Sequence, residues 1–178
     1  MKLLAAIAVL LLASCGAHAF AQTPTMPNPA LTPGVSRTPE LTVAVICSTK
    51  WGKDERVVTE AMKLQVFHEY GYTGDHDPKL VPDAHGRTAE IDHKRSRETG
   101  GADDIRNLWV EPYSGAWNAS DKDREENFEH AQICSGKETP EQAWANLDDW
   151  QFTYIKDFGS PPADAMGVPP TPGPNHVN

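Results

Sequence analysis

Cysteine is scarce, with three in 178 residues. The chain therefore lacks the Cys-rich spacings that mark structural zinc sites. Positive charge is also short: 16 Lys and Arg stand against 25 Asp and Glu, a formal net charge of −9. This argues against a broad electrostatic grip on nucleic acid, which uses many cations, and leaves room only for a local one. Long apolar runs are missing too. The run from Leu3 to Ala13 falls short of the ~20 residues of a membrane span. No repeat and no low-complexity segment interrupts the central part.

What is present begins with an export pattern over residues 1–21. Met1-Lys2 is a short basic start, an apolar stretch follows, and small residues come next. Two processing readings stand side by side. Ala19-Phe20-Ala21 fits the small-x-small rule of ordinary signal peptidase. Leu12-Ala13-Ser14-Cys15 resembles a lipobox, in which Cys15 becomes a lipid anchor. Either way the protein is expected to be exported: periplasmic, an outer-membrane lipoprotein, or secreted. With Cys15 removed or lipidated, Cys47 and Cys134 remain as a pair in an oxidising compartment, and a disulfide between them is predicted. The alternative is two buried thiols.

Prolines mark the flanks. Residues 22–40 read as a Pro-rich linker and 161–178 as a Pro-rich disordered tail, both extended. The folded domain is then 41–160. Within it LTVAVIC, 41–47, is β-branched and predicts a strand. Residues 55–69 carry an apolar face at helical spacing, with Asp54 as N-cap. A second helix is expected over 119–134, capped by Asn118 or Ser120. A third starts at Thr139-Pro140-Glu141-Gln142, a cap with Pro at the first helical position, and runs on to Gly159. The fold class is α+β and mainly helical.

The chemistry is concentrated between the first two helices. Asp92-His93 is followed by Lys94-Arg95-Ser96-Arg97, Glu98, Gly100-Gly101 and Asn107-Leu108-Trp109. Lys122-Asp123, Glu126 and Cys134-Ser135-Gly136 come next. In this order the sequence resembles the HNH superfamily of nucleases, and more closely a group of exported bacterial HNH-like proteins. The resemblance covers most of 41–160. It implies a small ββα-metal unit with further helices packed on it, and metal-dependent phosphodiester hydrolysis of nucleic acid, DNA rather than RNA. The cofactor would be a divalent ion such as Mg, Mn, Ni or Zn.

Carried over residue by residue, Asp92 is the first metal ligand and His93 the general base, a role that suits an imidazole of pKa ~6.5. Asn107 orients that ring. The helical metal ligands are expected at Asn118 and Glu126, with Asp123 and Asn127 also available. Lys122 contacts phosphate or pairs with Glu126 one turn on. Lys94, Arg95 and Arg97 stand where the relatives are apolar. They read as an added phosphate clamp or as a change in packing.

Plainer readings exist for each. Asp92-His93 could be a surface pair in a charged loop, and Asn118 only a helix cap. The acids of 121–126 suit a helix N-terminus. Trp109 and Trp117 read as packing residues. The competing function is a non-catalytic envelope-associated domain that keeps the fold.

Overall fold

A computed structural model describes residues 24–37, 41–54, 56–174 and 176. The expected export segment and Cys15 lie outside these. Among the described residues are five helices and two strands: α1 (Val43–Ser48), α2 (Glu60–Glu69), β1 (Ala89–His93), β2 (Leu108–Pro112), α3 (Ala119–Cys134), α4 (Pro140–Leu147) and α5 (Trp150–Phe158). The expected α+β, mainly helical class is what the chain adopts. None of the helices is long and apolar enough to cross a membrane.

The strands form an antiparallel pair in which Glu90 faces Glu111, Asp92 faces Trp109 and His93 faces Leu108. Side chains alternate across such a pair. Ile91, Leu108 and Val110 point into an apolar cluster with Val66 and Phe67 of α2, Tyr72 and Leu80. Glu90, Asp92, Trp109 and Glu111 share the opposite face. The strand–strand–helix succession expected from the resemblance is present, with α3 following β2.

Helix ends follow local chemistry. The Asn118 side chain accepts from the α3 backbone while Asp121 reaches back to the Asn118 N–H, closing a capping box. Thr139 and Gln142 make the same reciprocal pair at α4, as their spacing predicts. A second cluster packs Trp117 edge-on to Trp150, 5.6 Å between ring centres, with Tyr154 and Leu147 around them. Both tryptophans are core residues.

Four local expectations are corrected. The 41–47 segment forms helix α1 instead of a strand: Thr42 caps it through the Val45 N–H, and only Ile46 is buried. The first long helix starts at Glu60, capped by Thr59 and not by Asp54, which instead pairs with Arg97. The last helix is two helices, broken at Asp148-Asp149. Asp148 is drawn to Lys94 at 3.0 Å, while the Asp149 carboxylate accepts from the Gly173 N–H at 2.9 Å.

The fourth correction concerns the Pro-rich flanks, which are not loose. Thr32 is fully buried and donates to the Leu108 carbonyl at 2.8 Å. Ser36 pairs with Gly101 across an isolated β-bridge. On the other side Ala165 is buried among the tryptophans. Gln151, also fully buried, donates to the Thr25 carbonyl at 3.1 Å and accepts from the Thr171 N–H at 2.7 Å. Proline excluded these residues from helices and strands without keeping them off the core.

Cys47 and Cys134 are bonded as expected, with Cα atoms 5.5 Å apart, joining the end of α1 to the end of α3. Closing a loop this long contributes about 4–5 kcal/mol on the chain-entropy account.

Candidate functional site

The connection from β1 to β2 is built by its glycines and by Asn107. Gly100 takes a φ of +105°, a left-handed value that glycine adopts without strain. Gly101 packs so closely that a Cβ there would lie 1.7 Å from the Arg95 carbonyl oxygen. Asn107 is fully buried beneath this loop. Its amide nitrogen donates to the carbonyls of Arg95 and Ala102, both at 3.0 Å. Its oxygen accepts from the Arg95 N–H at 3.0 Å and the Val35 N–H at 3.3 Å. All four bonds go to backbone groups of the chain that frames the site. Asn107 therefore holds the loop and does not orient His93, which corrects the expected role.

The residue that orients His93 is Asp103, which sequence reasoning passed over. His93 Nε2 lies 2.8 Å from Asp103 Oδ1. Asp103 is itself fixed by the Val57 N–H at 2.9 Å and by Arg97 Nε at 3.2 Å. Burial lowers the His93 pKa, against the Asp103 hydrogen bond that raises it. The net effect keeps the ring neutral near pH 7. With Nε2–H donated to the carboxylate, Nδ1 carries the lone pair. That atom stands 4.0 Å from Asp92 Oδ1.

Asp92 belongs to a different group on the other sheet face, centred on Lys122. The Lys122 side chain is 1 % exposed. Its ammonium lies 2.6 Å from Asp92, 3.1 Å from the His93 carbonyl and 3.7 Å from Glu111, and it bonds Glu126 one turn along α3. Ser96 donates to the second Glu126 oxygen at 2.9 Å. The expected Lys122–Glu126 pairing is present. Lys122 is too buried to reach a phosphate without leaving these partners.

Negative charge outweighs this one ammonium. Glu90, Asp92, Glu98, Glu111, Asp123 and Glu126 all act electrostatically within the group. Burial is the largest influence on Asp92 and opposes its ionisation, yet Lys122, His93 and Glu111 together outweigh it and hold the carboxyl down to about 2. Burial wins elsewhere. It pushes Glu126 up to about 8 despite Lys122, Glu98 up to about 7 and Glu90 up to about 6. Glu111 also rises, from burial first and the neighbouring Asp92 among its other causes. Neither Glu111 carboxylate oxygen has a hydrogen-bond partner. Its carboxyl stands against Asp92, so a retained proton shared with that carboxylate, with Lys122 3.7 Å away, answers its burial.

The remaining predicted residues are placed away from this group or engaged in packing. Asn118 is the α3 cap and also donates to Asp164 and the Gly115 carbonyl. Its side chain is taken up by these bonds. Lys94 is buried, donating to the Pro33 carbonyl at 3.0 Å and pairing with Asp148. Arg95 lies over the Trp144 ring at 4.8 Å, and Arg97 bonds Asp54 and Asp103. The three cations serve packing and loop geometry. An exposed cation, Arg56, donates to the Ile91 carbonyl at 2.7 Å and acts electrostatically on His93. It lines a groove of about 370 Å³ with Lys63, Glu90 and Tyr113.

Asp92, Glu111 and Glu126 gather round Lys122, whose ammonium is the cation they share, and their oxygens do not all lie within 4.8 Å of one another as those of a ready metal set would. No family model, no curated protein and no solved structure matches the chain.

Proposed function

We propose that the protein is an exported, metal-dependent phosphodiesterase of the HNH type that hydrolyses nucleic acid, DNA in preference to RNA. One observation carries the reading. Within a strand–strand–helix unit, several buried acids surround a single ammonium while His93 keeps an unprotonated Nδ1 beside Asp92. A cation-seeking cluster next to a neutral base is the equipment of metal-assisted hydrolysis.

Asp92, Glu111 and Glu126 would hold the ion only by closing in as Lys122 gives up its pairing, because as they stand their oxygens do not all lie within 4.8 Å of one another. Such an ion supplies charge neutralisation at a phosphoryl oxygen and at the leaving oxygen. His93 accepts a proton at Nδ1 from the attacking water, and Asp103 holds the ring in the required tautomer and stabilises the imidazolium. Arg56 meets phosphate from the groove side. The Cys47–Cys134 disulfide fits an oxidising compartment: periplasm, outer-membrane surface by way of a lipid anchor at Cys15, or medium.

A second reading draws support from the same cluster. Lys122 already satisfies Asp92 and Glu126, and Lys94, Arg95 and Arg97 are engaged internally. That pattern suits a non-catalytic envelope domain that retains the fold. Plasmid cleavage separates the two. The enzyme reading expects nicking with Mg²⁺, Mn²⁺, Ni²⁺ or Zn²⁺ that chelator stops and His93→Ala abolishes. Folded protein that cleaves neither DNA nor RNA with any of these ions would refute it.

A further inference from the structure

We propose that Glu125, Glu129 and Asp157 form a separate binding site for Ca²⁺, between α3 and α5. Glu125 and Glu129 are four residues apart and share one face of α3. Asp157 comes from α5. One carboxylate oxygen from each lies within 4.8 Å of the others. Two oxygens on one Ca²⁺ stand no more than about 5 Å apart, twice the bond length, so the three can meet on a single ion.

The independent observation is burial without a partner. Both glutamates are 0 % exposed, and none of their four carboxylate oxygens has a hydrogen-bond partner. Glu138 and Asn146 are the polar groups that act on Glu129, and the Asn146 amide is shared with Glu138, to which it donates at 3.2 Å. Lys156 acts on Glu125 only from an exposed position. Two uncompensated carboxylates in a helix core are disfavoured unless a cation or protons join them.

The donor set selects the ion. All donors are oxygen, which excludes the soft metals that prefer sulfur. Mg²⁺ demands near-ideal octahedral geometry and keeps several waters, whereas Ca²⁺ accepts irregular carboxylate cages. Glu138 and the Asn146 carbonyl could complete the shell. The ion would then join α3, α4 and α5 where their packing otherwise sets like charges together.

The test uses the full chain after chelator treatment, with CaCl2 and MgCl2 titrated calorimetrically and thermal unfolding followed in parallel. One Ca²⁺ should bind at this site, tighter than Mg²⁺ and independently of the Asp92 group, and raise Tm by several degrees. E125L/E129L should lose Ca²⁺ binding while its Ca²⁺-free Tm equals or exceeds that of the chelated parent, because apolar side chains replace buried charges. Should that variant fail to fold, E125Q/E129Q serves the same purpose. Asp92→Asn should leave this binding intact. Three results would overturn the proposal: no Ca²⁺-dependent change in the parent, binding that survives loss of both glutamates, or binding lost with Asp92→Asn alone. A parent whose stability falls with rising pH and ignores Ca²⁺ holds these carboxyls by shared protons, which also overturns it.

Discussion

Asp103 Oδ1 holds His93 Nε2 at 2.8 Å, so a carboxylate ten residues downstream decides which imidazole nitrogen is free. Asp103 is placed for this by Val57 and Arg97, which take up its remaining acceptor capacity. The base of the proposed reaction is thus set by a residue in the loop, not by its strand neighbour Asp92.

Asp103→Asn should lower cleavage by roughly 10³–10⁴-fold, as loss of the tautomer-fixing carboxylate does in a hydrolase triad. An amide can donate to Nε2 and leave the proton on Nδ1. Nitrogen chemical shifts of His93 should report that exchange alongside plasmid-cleavage rates. Wild-type cleavage in a folded variant with the altered tautomer would remove Asp103 from the mechanism.

Lys122→Met should destabilise the fold by about 3–5 kcal/mol, because Asp92, Glu111 and Glu126 lose their buried counter-charge. Urea unfolding measures the loss. Millimolar Mg²⁺ or Mn²⁺ should restore part of it if the acids then gather an ion. A variant as stable as the parent without metal would show that the carboxyls are already neutral.

The metal-free protein should lose stability between about pH 5 and pH 9. Glu90, Glu98, Glu125, Glu126 and Glu129 have folded pKa values of about 6, 7, 8, 8 and 9, all raised from 4.5. Raised carboxyls favour the fold while protonated, and that contribution disappears as pH climbs through the folded values. His93, with a lowered pKa, works oppositely below about 6.5. Asp92 and Asp103 act only in strong acid. Tm measured with chelator across this range should fall. A flat or rising profile would contradict the buried-acid assignment.

Much of this was readable in the sequence where local chemistry decides the outcome. The Thr139–Gln142 cap, the Gly100-Gly101 turn and the Cys47–Cys134 pair each follow from residue type and spacing. Failures cluster where distant groups decide. Val43 and Val45 favour strands, yet they lie exposed on α1 between a Thr42 cap and the disulfide. The Asp148-Asp149 break is drawn by Lys94 and Gly173, far away in sequence. Asp103 escaped notice because its partner is ten residues back. Asp92 and His93 stay 4.0 Å apart, yet each answers to its own partner, Lys122 and Asp103, which the dipeptide does not reveal.

Gln151 gives the molecule an unusual dependence on its ends. One buried amide receives the chain before the first helix on its nitrogen side and the chain after the last helix on its oxygen side. A fragment trimmed to 41–160 would strand both halves of that amide in the core and uncover the Leu108 carbonyl that Thr32 caps. The proline-rich flanks therefore act as a clasp. Biochemistry on a fragment trimmed to the helices and strands would report on an opened protein.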